Sequence, residues 1–203
     1  MKLQKSGFIL TAIVAGLMLP AAAQTTSTTS ATPPPTINQR KENQQDRIAN
    51  GIQSGQLTAG ETENLEKKES AINGEEHDMR KLDDGHLTAA DRATLNQQQN
   101  TVSKDIYRDK HNARVQNVDP KSEVGQRQRN QQERIAQGVK SGQLTAGETA
   151  HLEGRESAIN KEVHNDRAAN GGTLTAAERR QVNHQQNQAS GAIYRKKHNA
   201  RVQ

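Results

Sequence analysis

The chain has 203 residues, no Cys, no Trp, a single Phe and a mean hydropathy of −1.03. With no thiol there is no cysteine nucleophile and no disulfide framework. Its 28 basic and 23 acidic residues give a net charge of only +5 despite a pI near 9.6, a mixed surface unlike the dense cationic field of a nucleic-acid binder.

Residues 1–23 read as a signal peptide. Lys2 and Lys5 form a basic start, Gly7 to Leu19 an apolar run, and Ala21-Ala22-Ala23 a small-residue cleavage site. The run is too short for the roughly 20 residues that span a bilayer, which predicts an exported chain with no membrane span after cleavage. Removing the two lysines leaves a net charge of +3, from 26 basic and 23 acidic residues. Residues 24–36, QTTSTTSATPPPT, carry too little apolar surface to pack and are expected to be a disordered tether.

The remainder is a tandem duplication. Residues 37–116 align without a gap on 124–203, and about 60% of positions are identical. Residues 117–123 form the linker, where Asp119-Pro120 should interrupt any helix. Inside each repeat the chain is punctuated by SGQLTAGET (54–62 and 141–149) and by shorter forms at 85–91 and 172–178. Each is a helix stop followed by a helix start. Gly55 suits the left-handed position past a helix end. Thr58 with Glu61, Thr88 with Asp91, Thr145 with Glu148 and Thr175 with Glu178 are spaced as capping boxes, in which side chains satisfy backbone N–H groups of the first helical turn.

These joints divide the first repeat into segments 39–53, 59–83 and 89–113, with apolar residues at helical spacing: Ile48 and Ile52; Leu65, Ile72, Met79 and Leu82; Leu95, Val102 and Ile106. The fold class is therefore all-α, with two tandem three-helix, up-down-up units of about 80 residues. Gly51 and Gly74 fall inside helices and should weaken them by about 1 kcal/mol each. The apolar stripe is thin, so the units should pack together, self-associate or firm up on a partner.

Chemistry-bearing patterns are sparse. Around Gly55, Leu57 and Glu61 the phasing resembles the second half of a calcium loop, but Asn50, Ile52 and Ser54 do not supply the oxygens of the first half. The seven histidines form no metal-ligand spacing, so neither metal nor cofactor is expected. Glu61, Glu66 and Glu69, with Lys67 and Lys68 nearby, read as solvated helix-face pairs. No nucleophile elbow or phosphate loop is present, which points away from an enzyme. The strongest binding candidate is a duplicated cationic face. Tyr107, Lys110, His111 and Arg114 lie at i, i+3, i+4 and i+7, and Tyr194, Lys197, His198 and Arg201 repeat them. The sharp reading is docking of an acidic partner, a protein or an envelope polymer, with nucleic acid disfavoured. The plainer one is that cations complement a helix C-terminus while the tyrosine packs on a neighbour.

The joints Leu57-Thr58-Ala59-Gly60-Glu61 and Leu87-Thr88-Ala89-Ala90-Asp91, with their copies, resemble the LTxxQ motif of the CpxP/Spy family, although all four end in an acid where that family has Gln. The resemblance implies an exported helical chaperone of the holdase type or a metal-responsive regulator. The repeat as a whole resembles exported bacterial tandem-repeat helical proteins, for which no activity is implied. The expectation is a non-enzymatic, periplasmic or extracellular structural or interaction module, with the CpxP/Spy role as the alternative.

Overall fold

The structure, a computed structural model, describes residues 34–116, 118–119 and 121–201. The signal-peptide reading, most of the tether and Pro120 lie outside the described residues. From Pro35 onward the chain forms one compact all-helical unit. Its elements are α1 (Ile37–Ser54), α2 (Ala59–Leu82), α3 (Ala89–Lys110), α4 (Glu123–Lys140), α5 (Ala146–Ala169) and α6 (Ala176–Lys197). None of these helices is long and apolar enough to cross a membrane.

Each joint is built as its residues require. Gly55 and Gly142 sit at φ of 72° and 70°, where a side chain would be strained. All four capping boxes close; Thr58 N–H, for example, donates to Glu61 Oε2 at 3.0 Å. A fifth box starts α1, where Thr36, the last residue assigned to the tether, pairs with Gln39.

The helices of one repeat do not close a bundle alone. α3 packs on both α1 and α2, while α1 and α2 diverge from their joint and are bridged by long polar side chains. The gap is filled by the other repeat, with α2 packed on α5 and α1 on α4. Small residues let α2 and α5 run close and antiparallel: a Cβ added to Gly60 would lie 3.2 Å from Ser157 Oγ, and one on Gly147 would lie 3.1 Å from Ser70 Oγ. The apolar core is correspondingly shared, with Ile48, Leu57, Leu65 and Leu95 continuous with Ile135, Leu144, Leu152 and Ile193.

Gly51 corrects the sequence reading. It does not merely weaken α1, because a Cβ there would lie 2.6 Å from Leu57 Cδ1, and Gly138 has the same relation to Leu144. The glycine is the floor on which the first residue of the LTAGE joint packs. Gly74 has open space around its Cα. In urea titrations followed by circular dichroism, Gly51→Ala is expected to destabilise the fold by about 1–3 kcal/mol through overpacking. Gly74→Ala should stabilise it by about 1 kcal/mol through helix propensity.

Candidate functional site

The proposed cationic face is divided by the fold. Helix α3 ends at Lys110 with His111 as its C-cap, so Arg114 lies beyond the helix and not on a common face with Tyr107. This corrects the i to i+7 spacing read from sequence. His111 folds back on Tyr107, with ring centroids 4.2 Å apart at 25°, and its Nδ1 donates to the Tyr107 carbonyl at 2.7 Å. His198 does the same to Tyr194, at 4.2 Å, 26° and 2.7 Å. Both tyrosines are outside, 62% and 59% exposed. Lys110 turns away from them, its Nζ donating to the Arg47 carbonyl of α1 at 3.3 Å. Burial, then the Arg47 charge, hold its pKa below the usual lysine value; burial and Arg134 do so at Lys197. Arg114 is exposed, 3.8 Å from the Glu61 carboxylate, and Arg201 is exposed with its backbone N–H on Asn199 Oδ1.

The segment after α3 is a clamp on the joint between α1 and α2. Asn112 Nδ2 donates to Glu61 Oε1 at 2.8 Å, Gln116 N–H donates to the Gly55 carbonyl at 2.9 Å, and Gln116 Oε1 accepts from Ala59 N–H at 3.0 Å. In the second repeat Asn199 reaches Glu148 at 2.6 Å. Burial acts to raise the Glu148 pKa, but hydrogen bonds from Asn199 and Thr145 and the charge of Lys196 outweigh it and leave the group below the usual carboxylate value. SGQLTAGET and KHNARVQ are the two longest stretches that are identical between the repeats, and in the first repeat they touch. Much of the identity around the candidate face therefore serves the joint.

The most unusual chemistry lies inside. Glu61, Glu66 and Glu69 do not sit on solvated faces as the sequence suggested. All three are buried, and Lys67 and Lys68 pair instead with Glu63 and Asp105. Glu66, Glu69 and their repeats Glu153 and Glu156 lie on α2 and α5 with essentially no exposed surface. Gln45 Nε2 of α1 donates to Glu66 Oε2 at 3.1 Å, and Gln132 Nε2 of α4 donates to Glu153 Oε2 at 2.8 Å. Both oxygens of Glu69, both of Glu156 and the remaining oxygens of Glu66 and Glu153 have no donor. Burial pushes Glu66 up to about 8, the Gln45 amide and Glu69 acting in opposite senses, and pushes Glu69 up to about 7 against the pull of Lys41. Burial alone takes Glu156 to about 8. Glu153 is raised well above a normal carboxyl by burial, with Glu156, Glu66 and Glu63 adding to it against the Gln132 hydrogen bond. A signal for this layer was present in the sequence. Both glutamates of the pair return unchanged in the second repeat, while Lys67 becomes Gly154 and Lys68 becomes Arg155.

Among the described residues no group of three or more His, Asp or Glu is arranged to hold a metal ion. A cleft of about 630 Å³ between α2 and α5 carries mixed charge from Glu63, Lys67, His151 and Arg155, with Arg155 Nε donating to His151 Nε2 at 3.2 Å. Comparison with family models, curated proteins and solved structures finds no match for the chain. Replacing Asn112 or Asn199 by Ala is expected to lower stability by about 1 kcal/mol each, the net worth of a hydrogen bond to a buried acceptor, read from urea midpoints. Unchanged midpoints would mean that the segment does not clamp the joint.

Proposed function

We propose that the chain is a non-enzymatic exported module that works by binding, holding an acidic partner, an anionic envelope polymer, against the end of its second repeat. The observation that carries this reading is the exposure of both tyrosines, each stacked on a histidine, in a chain with almost no other aromatic residue. Aromatic rings left in water beside cations are typical of recognition surfaces, where a flat apolar face and a charge act together.

The two ends are unequal. Around Tyr107, the Arg108 guanidinium is held by Asp105 at 2.7 Å and Asp109 at 3.2 Å. Their counterparts in the second repeat are Ala192 and Lys196; Lys196 lies 3.8 Å from the Glu148 carboxylate and Lys197 is drawn toward α4, so Tyr194 is accompanied by Arg195 and Arg201 with no acid in that segment. The first copy neutralises itself and the second attracts anions. The alternative drawn from the CpxP/Spy resemblance, a holdase-like chaperone or metal-responsive sensor, has no comparable support. The large apolar side chains exposed among the described residues are Leu82, Tyr107, Val115 and Tyr194, too few for a surface that holds unfolded clients.

Calorimetric titration of the full chain with a polyuronate tests the reading. Binding should weaken with added salt. Arg195→Glu with Arg201→Glu should reduce affinity by about tenfold or more, while Arg108→Glu with Arg114→Glu should change it by less than about threefold. Equal losses in the two variants, or no binding by the native chain, would remove the second-repeat face from consideration.

A further inference from the structure

We propose that the seam between the repeats is a pH-operated lock: Glu66, Glu69, Glu153 and Glu156 are carboxylic acids in the closed six-helix form, and ionising them in alkaline surroundings drives the repeats apart.

The geometry carries this. Four carboxyl groups lie on the two helices that join the repeats, none with appreciable exposure. The ion pairs of the surrounding helices run elsewhere. On α1, Lys41 pairs with Glu76 at 3.1 Å while its charge still acts on Glu69, and the group that hydrogen-bonds within the layer is the neutral amide of Gln45. On α2, Lys67 pairs with Glu63 and Lys68 with Asp105 of α3, the latter at 2.6 Å. On α4, the neutral Gln132 faces Glu153, and the position equivalent to Lys41 is Gln128, which binds Asn160. On α5, Glu153 and Glu156 are neighbours, and Glu63 of α2 lies over Gly154 beside them. On α6, the position equivalent to Asp105 is the buried Ala192. Six carboxyl oxygens therefore lack any donor. A carboxylate so placed would be a desolvated charge offset only by Lys41 near Glu69 and by single amide hydrogen bonds at Glu66 and Glu153, whereas the protonated acid has no charge to desolvate. The Glu66 charge acts on Glu153 across the seam and that of Glu69 acts on Glu66, so each ionisation makes the next harder.

The direction of the pH effect follows. In the unfolded chain these acids ionise near the ordinary value of 4.5, while the folded form keeps them protonated to about 7 at Glu69 and about 8 at Glu66 and Glu156. The folded state thus holds more protons between those limits. Stability is fully present below pH 4.5 from these groups and is lost as pH rises toward 8, each contributing up to about tenfold per pH unit to the folding equilibrium. Glu76, Asp105 and Glu148 act oppositely: their folded pKa values are lowered, so their contribution fades only in stronger acid.

Urea unfolding of the full chain, followed by circular dichroism from pH 4.5 to 9, tests the lock. The midpoint should fall steadily up to about pH 8. Glu66→Gln with Glu153→Gln, whose amide oxygens can still accept from Gln45 and Gln132, should make the fall shallower and raise the midpoint at pH 8. An independent reading comes from infrared spectroscopy of the native chain at pH 6, where a protonated-carboxyl band should be present and should vanish on unfolding. A midpoint that is flat or rises from pH 4.5 to 8, an unaltered slope in a folded double variant, or no protonated-carboxyl band at pH 6 would each overturn the proposal.

Discussion

Glutamine amides and glutamate carboxyls, not hydrocarbon, fill much of the space between these helices. Gln45 and Gln132 bind Glu66 and Glu153 across the gap left by the diverging α1–α2 and α4–α5 pairs. Gln44 and Gln99 stitch α1 to α3 through main-chain carbonyls, at 2.8 and 3.0 Å, and Gln131 and Gln186 repeat the pattern at 2.7 and 2.9 Å. A chain this poor in large apolar residues can enclose an interior only if its buried polar atoms satisfy one another. The four inner glutamates are where that rule is met least, and so the fold depends there on protonation.

Duplication explains how so thin a stripe suffices. Within one repeat α1 and α2 make little contact with each other, and Leu65 and Ile48 belong to a core that both repeats share. The second copy inserts α4 and α5 against them, and a common core forms. Close approach of α2 and α5 needs Gly60, Gly147, Ser70 and Ser157 at the seam, and these positions are the same in both copies. The copies differ in the α2–α5 cleft, where Glu63 and Lys67 give way to Ala150 and Gly154, and beside the tyrosines, where Asp105 and Asp109 give way to Ala192 and Lys196.

The joints combine local and distant chemistry. The capping boxes need only three consecutive residues after the threonine, but the carboxylate that closes the box also takes a bond from Asn112 or Asn199, more than fifty positions later. The same glutamate thus ends one turn and anchors the return of a third helix. Lys110 and Lys197, which looked like free cations, are drawn toward α1 and α4, and the histidines beside them cover tyrosine rings. Exposed aromatic surface survives at both ends, but the arginine beside Tyr107 is held by Asp105 and Asp109, whereas Ala192 and Lys196 replace those acids beside Tyr194.

The sequence by itself determined the helices, their boundaries to within three residues, the four capping boxes and the doubling of the unit, because capping, glycine turns and apolar period act over a few neighbouring residues. It did not determine that α3 stops at Lys110, since that end is set by Asn112 and Gln116 reaching a joint far back in the chain. Nor could it place Glu66 and Glu69 inside. On an isolated helix those residues lie among lysines and look solvated, and only the helices packed along α2, from its own repeat and from the other, remove the water. Tertiary structure alone decided which carboxyls are buried and which lysines turn inward, because burial depends on what covers a face.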